Sequence, residues 1–176
     1  MKSSSAIFTQ IGNIIRKLNE KNIRLNPVLT EEEIKNFEDT HKVTLPEEYR
    51  DFLKFVGNGG PGPYYGLIPL QKSEVESVNN DDLKDELQTE MFEGEFLQLS
   101  HEGCGYYYVL ALTGEESGNI WNDSRAASYG MHQVKYGFGH YTIPYGFLDW
   151  YEHWIDSGAK GMEEMKEMIS NLNNNN

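Results

Sequence analysis

The side chains of this 176-residue chain that could do covalent or metal chemistry gather at His101, Glu102 and Cys104. A thiol beside an imidazole is the material of a nucleophilic dyad, with histidine as base and thiolate as attacking group. The same residues could open a zinc site, but zinc takes four protein ligands for a structural role, or three and an open position for catalysis. Cys104 is the chain's single cysteine and sits between two glycines, and His132, His140 and His153 have no ligand-like spacing. Only a Cys104–histidine dyad assembled in three dimensions, as in a hydrolase, would give an enzyme. The expectation is no enzyme, no metal and no cofactor. A lone cysteine also forbids an intrachain disulfide and suits a reducing compartment.

Two further patterns invite a chemical reading. Asn58-Gly59-Gly60-Pro61-Gly62 is glycine-rich, but a phosphate loop needs a strand before it, a Lys-Ser/Thr after it and free amide donors. Here the glycines follow a helical pattern, and Pro61 and Pro63 remove donors, so the loop reads as a helix terminator. The aromatics Tyr64, Tyr65, Tyr106–Tyr108, Trp121, Trp150, Tyr151 and Trp154 could stack on bases or sugars. Base stacking goes with a basic groove, and this chain carries a formal charge of −13. Most of these rings are expected in the core, with tyrosine hydroxyls at the surface.

The charge is unevenly spread. Residues 1–54 hold nine basic and nine acidic side chains, whereas 55–176 hold six against nineteen. Residues 74–95 alone contribute −8, with nine carboxylates against Lys84. Such a chain is repelled by phosphate backbones and anionic membranes, so neither direct nucleic-acid nor membrane binding is expected. No apolar run reaches the roughly 18 residues of a membrane span, and no signal-peptide pattern opens the chain, which predicts a cytoplasmic protein.

The positioning elements follow from periodicity. Ile11, Ile14, Ile15 and Leu18 mark an amphipathic helix. Thr30 and Glu33 have capping-box spacing ahead of a second, with Ile34 and Phe37 inward. Pro46 suits the start of a third, whose stripe is Tyr49, Phe52, Leu53 and Val56. Strands are then expected at Tyr64–Leu70, Phe96–Leu99, Tyr106–Leu112 and Asn119–Asn122, with another around Ala126–Tyr129 in an ambiguous stretch, 124–141. The near-continuous apolar run at 106–112 predicts a central strand covered on both faces. Residues 74–95 read as an acidic helix plus loop. Phe147, Leu148, Tyr151, Trp154 and Ile155 return to helical spacing, and Met162, Met165, Ile169 and Leu172 continue it. This order predicts a single α+β domain over residues 1–172, with a mainly antiparallel sheet, all its strands in one layer, flanked by N-terminal and C-terminal helices; 173–176 form a disordered Asn tail.

Leu45-Pro46-Glu47-Glu48-Tyr49-Arg50-Asp51-Phe52-Leu53, then Asn58-Gly59-Gly60, then Tyr65-Gly66-Leu67-Ile68-Pro69-Leu70 resembles the opening signature of the SUKH superfamily. Gly103-Cys104-Gly105, Gly118-Asn119-Ile120-Trp121 before Asp123, and Phe147-Leu148-Asp149-Trp150-Tyr151 through Trp154 match its later parts, so the resemblance covers residues 29–156. The superfamily includes bacterial immunity proteins and a fungal cell-wall-assembly regulator. The resemblance implies a non-catalytic binding protein: an immunity protein that neutralises a cognate toxin, a nuclease-like effector among the options, by stoichiometric occlusion. The alternative it leaves is an intracellular scaffold of the fungal regulatory type. The expected partner is a basic toxin domain. Asp81, Asp82, Asp85, Glu86, Glu90 and Glu93 are the candidate partner-binding residues, because they form the dense part of the acidic run; in a helix Asp82, Glu86 and Glu90 would share a face.

Overall fold

The computed structural model describes residues 2–79, 93–138 and 141–161. Three helices come first: α1 (Ser4–Glu20), α2 (Glu31–His41) and α3 (Glu47–Phe55). Ser3 caps α1, which buries Ile7, Ile11, Ile14 and Leu18, while Ile15 lies at the edge of that stripe. The capping box of α2 forms as its spacing predicts: the Glu33 amide donates to Thr30 Oγ1 at 3.2 Å and the Thr30 amide to Glu33 Oε2 at 2.8 Å. Pro46 stands immediately before α3, and its carbonyl accepts from the Tyr49 and Arg50 amides.

The strands are β1 (Val75–Val78), β2 (Gly94–Gly103), β3 (Tyr106–Ala111), β4 (Ile120–Asp123), β5 (Met131–Gln133), β6 (Lys135–Phe138) and β7 (Tyr141–Pro144), and α4 (Phe147–Asp156) follows. They do not all lie in one sheet. β1 to β5 form a five-stranded antiparallel sheet in sequence order, and β6 with β7 forms a separate hairpin. The architecture is α+β, with helices before and after a mostly antiparallel sheet.

Alternation along the strands divides the core. Leu97, Leu99, Leu110 and Ile120 face the helices and join Phe52, Phe147 and Tyr151 in the main cluster. Phe96, Val109, Ala111, Trp121 and Met131 point the other way and form a second buried cluster with Val78. β3 is thus central, as its apolar run predicts, and its second half, Val109–Ala111, is buried on both faces, whereas Tyr106–Tyr108 are half-buried.

Three expectations about strands need correction. Tyr64–Leu70 is not a strand: Leu67 makes only isolated bridges to Gly60 and Ser100. Pro63 and Pro69 lack amide donors, and Tyr64 and Gly66 have φ of 52° and 93°, so the segment turns instead of extending. Residues 75–78 are a strand rather than part of an acidic helix, because the edge of the sheet tolerates Glu76 and Ser77 between Val75 and Val78. In the ambiguous stretch, Arg125–Ala127 is one turn of 3₁₀ helix, and the strands are β5, β6 and β7. The helical extension through Met162–Leu172, the tail at 173–176 and Asp81, Asp82, Asp85, Glu86 and Glu90 lie outside the described residues.

Candidate functional site

Cys104 is exposed at the tip of the β2–β3 turn, with φ of 54° between Gly103 and Gly105, both also at positive φ. His101 lies between two rings, 5.6 Å from Tyr65 and 4.8 Å from Tyr107. His132 Nε2 is 2.8 Å from the Tyr129 carbonyl, and His153 packs on Tyr145 at 5.5 Å. Among the described residues, no group of three His, Cys, Asp or Glu side chains is disposed to hold a metal ion. His140 lies outside them.

The glycine-rich loop is a junction in the scaffold. The Gly57 amide donates to the Phe52 carbonyl, that of Asn58 to Asn26, and that of Gly60 to Leu67. Asn58 Oδ1 accepts from the Leu70 amide and its Nδ2 donates to Gln71, both at 2.8 Å. A Cβ at Gly59 would stand 2.7 Å from the Pro69 nitrogen, so the close approach and φ of 79° both require glycine there. Loop amides directed inward in this way do not cradle a phosphate.

The other signature residues fasten one element to the next. Glu48 of α3 accepts from the Leu148 amide at 3.1 Å, which satisfies an otherwise unpaired donor at the start of α4. Arg50 bridges Glu31 and Glu38, and Glu38 also takes the Leu45 amide, which ties α2 to α3. Arg50 and Lys54 hold the Glu31 carboxyl down near 2. The Tyr151 hydroxyl donates to the Pro61 carbonyl at 2.8 Å, and Tyr49 packs edge-on against Phe147. These contacts account for the signature without any chemical step.

The sequence model of the SMI1 / KNR4 family (SUKH-1) matches residues 28–142. The chain belongs to the SMI1 / KNR4 family. The match runs from the residues before α2 into β7 and leaves α1 and α4 outside it. Neither a curated protein nor a solved structure matches the chain. SUKH proteins comprise immunity proteins and SMI1/KNR4-type regulators, generally non-catalytic, which act through protein–protein contact. The site to look for in a member of the SMI1 / KNR4 family is therefore a surface.

Of the sequence-predicted partner-binding residues, the structure describes Glu93, which is exposed just ahead of β2. The acidic run begins inside the fold: Glu76 pairs with Arg125 at 2.9 Å and accepts from Gln98, while Arg125 also pairs with Asp123 at 2.7 Å. The guanidinium lies 5.3 Å over the Phe96 ring. Glu76 is thus held in pairing within the scaffold, sharing Arg125 with Asp123.

Two features escape a reading by motif. At one end of the sheet, Glu102 sits beside Tyr64, Tyr108 and Asn122; burial lifts its carboxyl to about 6, and only the Asn122 hydrogen bond opposes this. Burial first, and the Glu102 charge second, raise both tyrosine hydroxyls. No spacing signals this cluster, because the β2–β3–β4 register assembles it. The second feature is the β6–β7 hairpin. Its signal was present in the alternation of Tyr136 and Phe138, then Tyr141 and Ile143, across Gly139-His140. Among the described residues no helix is long and apolar enough to cross a membrane.

Proposed function

We propose that this chain is an immunity protein that binds a basic toxin domain and blocks it by occlusion, in the cytoplasm and without turnover. Family membership carries the reading, and the concentration of negative charge in residues 74–95 supports its choice of partner. A nuclease-like toxin needs a basic cleft to hold phosphates, and Asp81, Asp82, Asp85, Glu86, Glu90 and Glu93 can fill such a cleft as a nucleic-acid mimic. Steering of this kind raises the rate of encounter more than the final affinity.

The test is to sequence the neighbouring genes for a toxin domain and co-express any found there with this chain, read as growth and as recovery of an equimolar complex; neighbours that encode none would count against the reading. Protection with a 1:1 complex supports the reading. Failure to bind or protect overturns it. Cys104→Ser should protect as well as wild type; loss of protection in a folded Cys104→Ser variant would instead favour a thiol-dependent enzyme.

A further inference from the structure

The β6–β7 hairpin presents an apolar face to solvent. Tyr136 pairs with Ile143, and residues two apart along a strand share a side, so Tyr136, Tyr141 and Ile143 project from the same face. They are 40%, 89% and 57% exposed. The backbone behind them is tightly built, since a Cβ at Gly137 would stand 2.0 Å from the Tyr141 carbonyl oxygen. Large side chains bared together on a two-stranded hairpin are a hazard that ordinary surfaces avoid.

This face runs on into a groove. Tyr136 packs on Tyr145 at 4.6 Å, and beyond them a depression of about 430 Å³ is bounded by Asp149, Glu152 and Asp156 of α4 and by Lys17. Lys17 pairs with Glu152 at 2.8 Å and Asp156 at 2.7 Å, and Lys2 pairs with Asp149 at 2.8 Å and Glu48 at 3.2 Å. The three carboxylates that line the groove therefore have one lysine in it, Lys17, with Lys2 reaching Asp149 from outside and itself shared with Glu48, which leaves the groove negative beside exposed tyrosine rings. A second copy of this chain would bring its own −13 to that groove and be repelled. A guanidinium fits both halves: it stacks flat on tyrosine and pairs with carboxylate through a fork of N–H donors.

We propose that the β6–β7 face and the adjoining α4 groove dock an arginine-bearing segment of a basic protein partner. The proposal rests on the reading above that the partner is basic, and it adds contact residues other than those of the acidic run.

The probe is a nonapeptide of alternating arginine and glycine, titrated at low salt into the full chain and into a Tyr141→Ser/Ile143→Ser variant. Both positions are exposed, so the variant should melt like wild type. The expected result is at least a tenfold weaker affinity in the variant, with NMR shifts in the wild type centred on Tyr136, Tyr145 and His153. Equal affinity for both proteins, or shifts confined to residues away from the hairpin and α4, would overturn the surface. So would a concentration-dependent dimer that the double substitution abolishes, since the face would then belong to a second copy. A chain that loses peptide binding on substitution yet protects against no toxin would refute the immunity reading and leave this surface standing.

Discussion

Burial of Glu102 between Tyr64 and Tyr108 makes a charged carboxylate there a cost to the fold. Its folded value of about 6 lies above the ordinary glutamate value, so the native state holds the proton more tightly than the unfolded chain. Its contribution to stability is fully present below the unfolded value and is lost as pH rises through the folded one. Between pH 4.5 and 6.5 the wild type should weaken with rising pH at this site, by on the order of 1 kcal/mol once partial solvent exposure is allowed for. Glu102→Gln keeps an acceptor for Asn122 and removes the charge. Urea unfolding across that range should show the variant more stable at pH 7 and without this component of the slope. Parallel pH profiles for the two proteins would refute the assignment. The thiol next along the chain is an exposed turn residue, and its prominence in the sequence reflects its rarity more than any partner in the fold.

At the scale of elements, much of the helical layer was legible because its signals are local. The Thr30–Glu33 box and the Tyr49–Phe52–Leu53 stripe need nothing beyond their own turn of helix. β1 was not legible, since two valines around Glu76 and Ser77 make a strand only where β2 supplies the partner edge. Nor was the Tyr64–Leu70 turn, which meets β2 only at single points, the Ile68 amide on the Leu99 carbonyl and the Tyr65 amide on that of His101, without a continuous ladder. The start of α4 shows how far a helix can depend on a distant residue. Gly146 provides no side-chain cap, and Glu48, a hundred positions earlier, receives the Leu148 amide instead. Glu48→Ala should leave that donor unpaired and Lys2 with Asp149 and Gln10, at a cost of about 1–3 kcal/mol in chemical denaturation. Glu48→Gln, which still accepts, should lose less. Equal losses for the two would mean that the charge, and not the hydrogen bond, secures the helix.

For the whole molecule, the long-range consequence of a −13 chain is a field, and fields are read through salt. If the acidic run steers a basic partner, association should approach ~10⁸ M⁻¹s⁻¹ at low ionic strength and fall steeply as salt is added. Neutralising Asp81, Asp82, Asp85, Glu86, Glu90 and Glu93 together should slow association and flatten that dependence, with little change in melting temperature. Stopped-flow rates against ionic strength decide it; superimposable salt slopes would reduce the run to a solubilising surface. The engagement of Glu76 within the fold could not be read from charge counts, which placed it with the rest although it pairs with Arg125 across the sheet. The sheet itself bears on how this run can vary. Val78 pairs directly with Gly94, so the chain departs and returns at one rung of the same ladder. Closing a longer span across a fixed rung costs only about 0.6 kcal/mol for each doubling of its length. The span between Val78 and Gly94 can therefore change in length or composition at little cost to the sheet, and if the acidic run is the recognition surface proposed above, partner choice can be exchanged while the rung stays closed.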